Sequence, residues 1–214
     1  TIIFQTVGYT TKLLASLNEG DSILDFVGPL GTPTDYGTAK NVAVVGGGVG
    51  CAIAYPHAKA LFKSGINVDV IAGFRNKDLV ILEEEFKKVA NNLYVCTDDG
   101  SYILRRLVNE GKQYDLVIAI GPLVMMKYVT LLTKTLNIKT IVSLNPIMID
   151  GTGMCGGCRV TVGNKVKFAC VDGPDFDAHQ VDFDELITRN TFYKNHEDQA
   201  NNHECRLLRR YKDA

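Results

Sequence analysis

The stretch VAVVGGGVGCA (residues 42–52) joins a run of mostly β-branched apolar residues to four glycines. Such a run predicts a buried strand, and the residues after the glycines predict a helix. Glycines let the backbone approach a pyrophosphate, and a helix N-terminus supplies free amide groups and positive dipole. The spacing is not a strict G-x-G-x-x-G, so a tight strand–helix turn without a ligand is the competing interpretation.

From residue 41 onward, strands alternate with helices at a spacing that predicts a parallel, doubly wound α/β sheet. The predicted strands are 41–46, 67–73, 93–97, 114–120 and 139–144, with helices near 54–64, 78–90, 101–110 and 123–136. Two further strands are predicted at 2–7 and 23–27. The segment 146–180 is too rich in glycine to extend the sheet, and a polar helix is expected from Asp184.

Two more motifs follow predicted strands, where open α/β sheets bind ligands. They are TDDGS (97–101) and IGP (120–122). The second strand ends in GFRNKD (73–78), which lacks the usual ribose-binding acid; Arg75 could accommodate a 2′-phosphate, or be an exposed loop charge. NAD and NADP therefore both stay open. The predicted NAD(P)-binding residues are Gly47, Gly48, Val49, Gly50, Arg75, Asp98, Asp99, Gly121 and Pro122.

A cysteine cluster follows the predicted sheet. Cys155 and Cys158 form C-x2-C, Cys170 follows after eleven intervening residues, and Asp150 stands where a binuclear iron–sulfur motif has its first cysteine. A carboxylate can ligate iron, although it is harder than a thiolate. The alternatives are a zinc site completed by Asp150 or His179, and three buried structural thiols.

Composition excludes several classes of function. The chain has 214 residues, 46% of them hydrophobic, and a formal net charge of −1. With no basic run beyond Arg209-Arg210, it is not expected to bind nucleic acid. Its apolar stretches are shorter than the roughly 20 residues of a membrane span. Six cysteines, three of them clustered, fit a metal site in a reducing cytoplasm better than a disulfide framework.

Taken together, GPLG (28–31), GGGVG (46–50), TDDGS, IGP, the three cysteines and CVDGPDFD (170–177) resemble one family. The chain is similar to small (alpha) subunits of NADH-dependent ferredoxin:NADP oxidoreductase, also called sulfide dehydrogenase, and more distantly to the electron-transfer subunit of dihydroorotate dehydrogenase. The resemblance implies a ferredoxin-reductase-like fold. Its expected parts are the remnant of a flavin-binding β-barrel (1–38), an NAD(P)-binding domain (39–145), a [2Fe–2S] module (146–180) and a tail helix (181–214).

The resemblance also implies three cofactors: FAD, NAD(P)H and a [2Fe–2S] cluster. In VGYTT (7–11), Gly8, Thr10 and Thr11 match the helix start that faces the FAD pyrophosphate in the family, although a capped helix alone would explain them. The barrel strands with the family's arginine–x–tyrosine–serine/threonine motif are expected before Thr1. By resemblance the cluster ligands are Asp150, Cys155, Cys158 and Cys170.

The expected function is that of an electron-transfer flavoprotein subunit. It would pass electrons between NAD(P)H, FAD and the cluster, to or from a larger iron–sulfur flavoprotein subunit similar to the glutamate synthase small subunit, with ferredoxin served through that partner. Electron bifurcation by the pair is left open. The alternative is a dinucleotide-binding regulatory module with a structural zinc, which would be colourless and without redox turnover.

Overall fold

The computed structural model describes residues 1–97, 100–192 and 194–202. They belong to two units. The larger is Pro29–Ile187, and the smaller contains Thr1–Gly28 with the described residues from Thr188 onward. The elements are α1 (Tyr9–Ala15), β1 (Asn41–Gly47), α2 (Cys51–Lys63), β2 (Asn67–Gly73), α3 (Glu83–Lys87), β3 (Asn92–Cys96), α4 (Ser101–Asn109), β4 (Leu116–Ile120), α5 (Leu123–Thr135), β5 (Lys139–Ser143), β6 (Arg159–Val162), β7 (Lys165–Phe168), β8 (Asp175–Asp177), α6 (Phe183–Asn190) and α7 (Lys194–Asn202).

The larger unit is built on one twisted sheet in the order β3-β2-β1-β4-β5-β8. Strands β1 to β5 are parallel, as predicted. The apolar runs of β1, β2, β4 and β5 are buried because helices cover both faces of the sheet, whereas the edge strand β3 is only partly buried. The chain leaves β1 towards β2 on one side and later returns on the other side as β4. This reversal between β1 and β4 is the position where doubly wound sheets open a crevice at their carboxyl edge.

Two hydrophobic cores lie on the two faces of the sheet. One contains the buried side of α2, including Ala54, Ala58 and Leu61. The other contains α4 and α5 and extends to Cys158 and Cys170 of the cysteine-rich segment. The cysteine-rich segment therefore packs on the same hydrophobic core as helices α4 and α5.

The expectation that residues 146–180 add nothing to the sheet is wrong. Strand β8 pairs antiparallel with β5, with Ser143 opposite Asp175. A separate hairpin, β6–β7, precedes it. Its turn, Gly163-Asn164, has positive φ at both residues, which is the geometry of a two-residue hairpin turn.

The strands predicted at 2–7 and 23–27 are also wrong, because neither stretch forms a strand. Helix α1 buries none of its residues. The helix predicted at 78–90 shrinks to α3, because Leu82 takes a left-handed conformation (φ 60°) just before it. The polar helix predicted from Asp184 is present as α6, which starts at Phe183, but it ends at Asn190 and a second helix, α7, follows it.

No helix in the described part of the chain is long and apolar enough to cross a membrane. Asp98, Asp99 and the stretch 203–214 lie outside the described residues.

Candidate redox site

The glycine loop (residues 46–50) lies at the carboxyl end of β1, next to the turn after β4. A Cβ atom on Gly50 would lie 2.6 Å from the carbonyl oxygen of Ile120, and one on Gly47 would lie 3.0 Å from Pro122 Cδ. Two motifs that are some 70 residues apart in the sequence are thus in direct contact. The structure brings together Gly47, Gly50, Gly121 and Pro122 of the predicted nucleotide site.

Gly48 differs from its neighbours in the glycine loop. It has a left-handed φ of +54°, and nothing lies within 4 Å of a Cβ built on it. Val49 beside it is 42% exposed. This side of the loop therefore faces open space ahead of α2, whose N-terminal turn holds no acidic residue that would repel an anion.

Two other residues lie at this edge of the sheet, Arg75 after β2 and Cys51 at the start of α2. Arg75 is exposed just beyond the end of β2, and its role in binding a nucleotide stays a prediction. Burial raises the pKa of the Cys51 thiol to about 12, with a further contribution from Cys96, so Cys51 stays neutral. Its prediction as a small core residue is confirmed. The roles of Asp98 and Asp99 stay predictions.

In the smaller unit, Thr11 closes the start of α1. Its hydroxyl oxygen accepts hydrogen bonds from the amides of Val7 and Gly8, each at 3.0 Å, and donates to the Gly8 carbonyl. The Thr11 side chain is therefore engaged in capping the helix, while Thr10 is exposed. Their role as FAD-binding residues stays a prediction.

The hairpin β6–β7 places two of the clustered cysteines side by side. Cys158 directly precedes β6, and Cys170 follows β7 with one residue between. Their sulfurs are 3.1 Å apart, both thiols are free, and both residues are buried. The hydrogen bond with Cys158, and then burial, raise the pKa of the Cys170 thiol.

The other two predicted ligands form a second pair in the cysteine loop (residues 147–158). The Asp150 carboxylate accepts hydrogen bonds from the amides of Thr152 at 2.9 Å and Cys155 at 2.7 Å. The Thr152 amide, then the Cys155 amide and side chain, hold the pKa of the Asp150 carboxyl below its ordinary value. Cys155 is exposed. The loop thus presents an ionised carboxylate beside an accessible thiol.

Backbone amides point at the sulfur atoms. The Gly157 amide donates to Cys155 Sγ at 3.4 Å, and the Cys170 amide donates to Cys158 Sγ at 3.5 Å. Such donors stabilise negative charge on a thiolate. No three Cys, His, Asp or Glu side chains of the described chain surround a single point as ligands of one ion. The four predicted ligands are arranged as two pairs.

The zinc alternative that used His179 loses this ligand. His179 Nε2 lies 3.3 Å from the Thr133 hydroxyl on α5, where it packs on the sheet side of the module. The β6–β7 hairpin that pairs the cysteines was not predicted from the sequence. The signal was present, because Gly163-Asn164 separates two stretches of alternating apolar and polar residues.

Comparison with known proteins agrees with this geometry. Residues 145–182 match the iron–sulfur cluster binding domain of dihydroorotate dehydrogenase B. A Thermotoga maritima homologue of the dihydroorotate dehydrogenase B (NAD(+)) electron transfer subunit is 47% identical, over 92% of this chain and 72% of its own length. The chain belongs to the family of dihydroorotate dehydrogenase B electron-transfer subunits. An uncharacterised Clostridium beijerinckii protein encoded in the adh 3′ region is 56% identical, over 94% of this chain and 73% of its own length.

A solved structure extends the likeness to the fold. A chain of the NADH-dependent reduced ferredoxin-NADP oxidoreductase, studied for flavin-based electron bifurcation, superposes with a TM-score of 0.84. It is 46% identical, over 92% of this chain and 74% of that chain. The predicted family, the ferredoxin-reductase-like α/β fold and the iron–sulfur domain are thereby confirmed. The chain is a homologue of oxidoreductase electron-transfer subunits.

Proposed function

We propose that this protein is the subunit of an oxidoreductase that takes electrons from NAD(P)H through FAD to a [2Fe–2S] cluster held by Asp150, Cys155, Cys158 and Cys170. The observation that carries the proposal is the arrangement of these four residues as two pairs. A [2Fe–2S] cluster has two irons and takes four protein ligands. Two pairs of donors within one matched iron–sulfur domain are what such a cluster requires.

The donor set fits the cluster in its chemistry. Thiolates are the usual ligands of iron–sulfur clusters, and an ionised carboxylate is an acceptable harder ligand. When bound, the cluster supplies a one-electron carrier whose potential depends on its ligands and on hydrogen bonds to sulfur. Asp150 is held ionised by two backbone amides, so no proton has to leave it before it binds a metal. The amides of Gly157 and Cys170 offset negative charge on the cysteine sulfurs.

The nucleotide half of the proposal rests on the glycine loop. The open space at Gly48 lets a pyrophosphate approach the backbone, and the amides at the start of α2 would bind its oxygens. Gly47, Gly50, Gly121 and Pro122 pack the loop against the turn after β4. Val49 and Arg75 line the approach, and Arg75 would contact the ribose or its 2′-phosphate.

FAD is proposed at Gly8, Thr10 and Thr11 of the smaller unit. When bound, it accepts hydride from NAD(P)H and releases single electrons, which is chemistry of the cofactor rather than of a side chain. Gly8 has open space beside its Cα and the Thr10 hydroxyl is exposed at the start of α1, whereas Thr11 caps the helix through hydrogen bonds with the Gly8 backbone. The likeness in fold supports this assignment, because the similar solved chain belongs to an oxidoreductase that was studied for flavin-based electron bifurcation.

The proposed partner is a larger iron–sulfur flavoprotein subunit similar to the glutamate synthase small subunit, which exchanges electrons with ferredoxin in the cytoplasm. The relatives are named electron transfer subunits, and a subunit needs a partner to receive its electrons. The exposed apolar side chains of Ile149 and Met154 beside Cys155 offer a surface for such a contact.

The experiment is to measure iron and the visible spectrum of anaerobically purified protein, for the wild type and for two cysteine variants. Cys158→Ala removes a proposed ligand, and Cys96→Ala, in strand β3, is the matched control. We expect a coloured wild type, an iron content about tenfold lower in Cys158→Ala, and unchanged iron in Cys96→Ala. A colourless wild type containing zinc would instead support the regulatory-module alternative.

A further inference from the structure

A buried polar network lies on the α2 face of the sheet, outside the proposed ligand sites. Its centre is His57, on α2, whose side chain is only 11% exposed. His57 Nδ1 lies 3.0 Å from the Tyr36 hydroxyl, and Nε2 lies 3.7 Å from Asp175 Oδ2. Three segments far apart in the sequence therefore meet at one imidazole.

Asp175 contributes a buried carboxylate to the network. Its side chain is 8% exposed, and its Oδ2 accepts a hydrogen bond from the Thr34 hydroxyl. Its Oδ1 is the one buried side-chain oxygen or nitrogen in the described chain without a hydrogen-bond partner. A buried carboxylate that is only partly satisfied costs free energy, so it is retained where it has a use or a strong compensating partner.

The segment before β1 (residues 29–36, the connecting segment) is hydrogen-bonded to the residues that lead from Cys170 to Asp175. The Thr32 amide donates to the Gly173 carbonyl at 2.7 Å, and the Thr32 hydroxyl donates to the Val171 carbonyl at 2.9 Å. These carbonyls belong to the residues between Cys170 and β8. The connecting segment thus lies along the chain that leaves the proposed cluster site.

The hydrogen-bond directions follow from the surroundings of His57. Burial lowers the pKa of His57 even though Asp175 opposes the shift, so the imidazole is neutral near neutral pH. We assign the Tyr36 hydroxyl as donor to Nδ1, which leaves the proton on Nε2 facing the Asp175 carboxylate. In this tautomer each ring nitrogen faces a group of the matching type.

Helix α2 lacks one of its internal backbone hydrogen bonds, so a side-chain contact near that position would help to hold it in place. Pro56 lies in its interior, directly before His57, and lacks the amide that would bond to the Ala52 carbonyl. The helix is therefore weakened in its middle, while its first turn forms the end of the glycine loop. A fixed contact one residue after the proline limits how far the first half of the helix can shift.

We propose that His57, Asp175 and Tyr36 are positioning residues, which fix α2 and with it the glycine loop on the segment that follows Cys170. The functional consequence, a tighter nucleotide site, rests on the proposed function. The positioning itself does not, because it concerns the order of the loop in the free protein. The two parts can therefore be tested separately.

The test uses His57→Leu and Asp175→Leu, with Lys63→Leu as the control on the exposed end of α2. Amide hydrogen exchange is followed at residues 47–52 in the nucleotide-free protein. We expect exchange about tenfold faster in both network variants, and about the same in the double variant as in either single one, because coupled residues are non-additive. Exchange at wild-type rates in folded His57→Leu would overturn the proposal, as would equal acceleration in Lys63→Leu.

Tyr36→Phe and His57→Gln keep the proposal testable where a leucine variant does not fold. Tyr36→Phe removes one hydroxyl and should accelerate exchange about threefold, whereas His57→Gln retains a donor towards Asp175 and should restore most of the protection.

Binding of NAD(P)H is then titrated with the same variants. A wild type without nucleotide affinity but with the predicted exchange pattern would refute the proposed function and leave the positioning role standing. Weakened binding with unchanged exchange would refute the positioning role.

Discussion

The glycine loop and the cysteine loop, the two proposed ligand sites, differ in how the protein holds their backbone. The glycine loop is closed by backbone packing, with Gly50 pressed on Ile120 and Gly47 on Pro122. The cysteine loop is open, and its residues Ile149 and Met154 are 76% and 88% exposed. The packing of the glycine loop is thus set by the protein itself, whereas the cysteine loop leaves apolar side chains uncovered.

The physical reason lies in what each loop connects. The glycine loop joins the buried strand β1 to α2, whose inner face packs on one of the two cores, so the geometry of the loop is fixed by the sheet. The cysteine loop is held mainly by the Asp150 turn and by the hairpin that follows it. An exposed loop with few apolar contacts has little local stability of its own.

The largest effect is expected from filling the closed loop. In Gly50→Ala the new methyl group meets the Ile120 carbonyl at 2.6 Å, and we expect the free energy of unfolding to fall by about 3 kcal/mol. Gly65→Ala is the control, because Gly65 has a left-handed φ of +75° but open space around it, and should cost about 1 kcal/mol. Equal losses in urea unfolding would show that the glycine loop is not tightly packed.

A second change separates binding from packing in the same loop. Gly48 has room for a side chain, so Gly48→Val should fold while losing NAD(P)H affinity by about a hundredfold, because the valine occupies the approach of the pyrophosphate. Gly65→Val carries comparable backbone strain at the other end of α2 and should bind normally. Titration calorimetry measures both. Undiminished affinity in folded Gly48→Val would make the glycine loop a turn without a ligand.

In the open loop, the expected effects concern the cluster rather than the fold. Asp150→Cys should retain a cluster with four thiolates and a changed reduction potential. Asp150→Ala should lose iron by about tenfold, since one iron lacks a protein ligand. Both variants should lose only about 1 kcal/mol of unfolding free energy, because the exposed carboxylate accepts two backbone hydrogen bonds but packs in no core. If both show the parent's spectrum and potential, Asp150 is not a ligand.

The smallest effect is expected at the rim of the closed site. Arg75→Ala should weaken NADPH binding about fivefold and NADH binding less, because an exposed arginine contributes about 1 kcal/mol to a phosphate contact. The measurement is a titration of both cofactors against the variant. Equal losses would assign Arg75 a general electrostatic role.

The same contrast explains what the sequence could predict. Strands β1, β2, β4 and β5 were predicted because buried parallel strands are continuous apolar runs, and the short edge strand β3 was predicted from its β-branched and aromatic residues. Strand β8 was missed because it is short and follows Gly173-Pro174, which is typical of a turn. The motif spacing identified the cysteines, but their pairing depends on a hairpin, and its Gly163-Asn164 turn was not recognised.

Other features have no local signal at all. The contact between His57 and Asp175 joins residues 118 positions apart, and no sequence pattern near either residue predicts it. The packing of Gly50 on Ile120 is likewise a property of the assembled sheet. The strands expected at 2–7 and 23–27 have apolar sequences, but they find no neighbouring strand to pair with in the described chain.

The central claim is that the two donor pairs hold a redox-active [2Fe–2S] cluster. Electron paramagnetic resonance of the anaerobic protein, oxidised and then reduced with NADH and with dithionite, tests it most directly when iron and sulfide are counted in the same samples. We expect about two irons and two sulfides per chain, no signal when oxidised, and a signal from one unpaired electron after reduction. A protein with about one zinc per chain, or with no signal after dithionite, would contradict it.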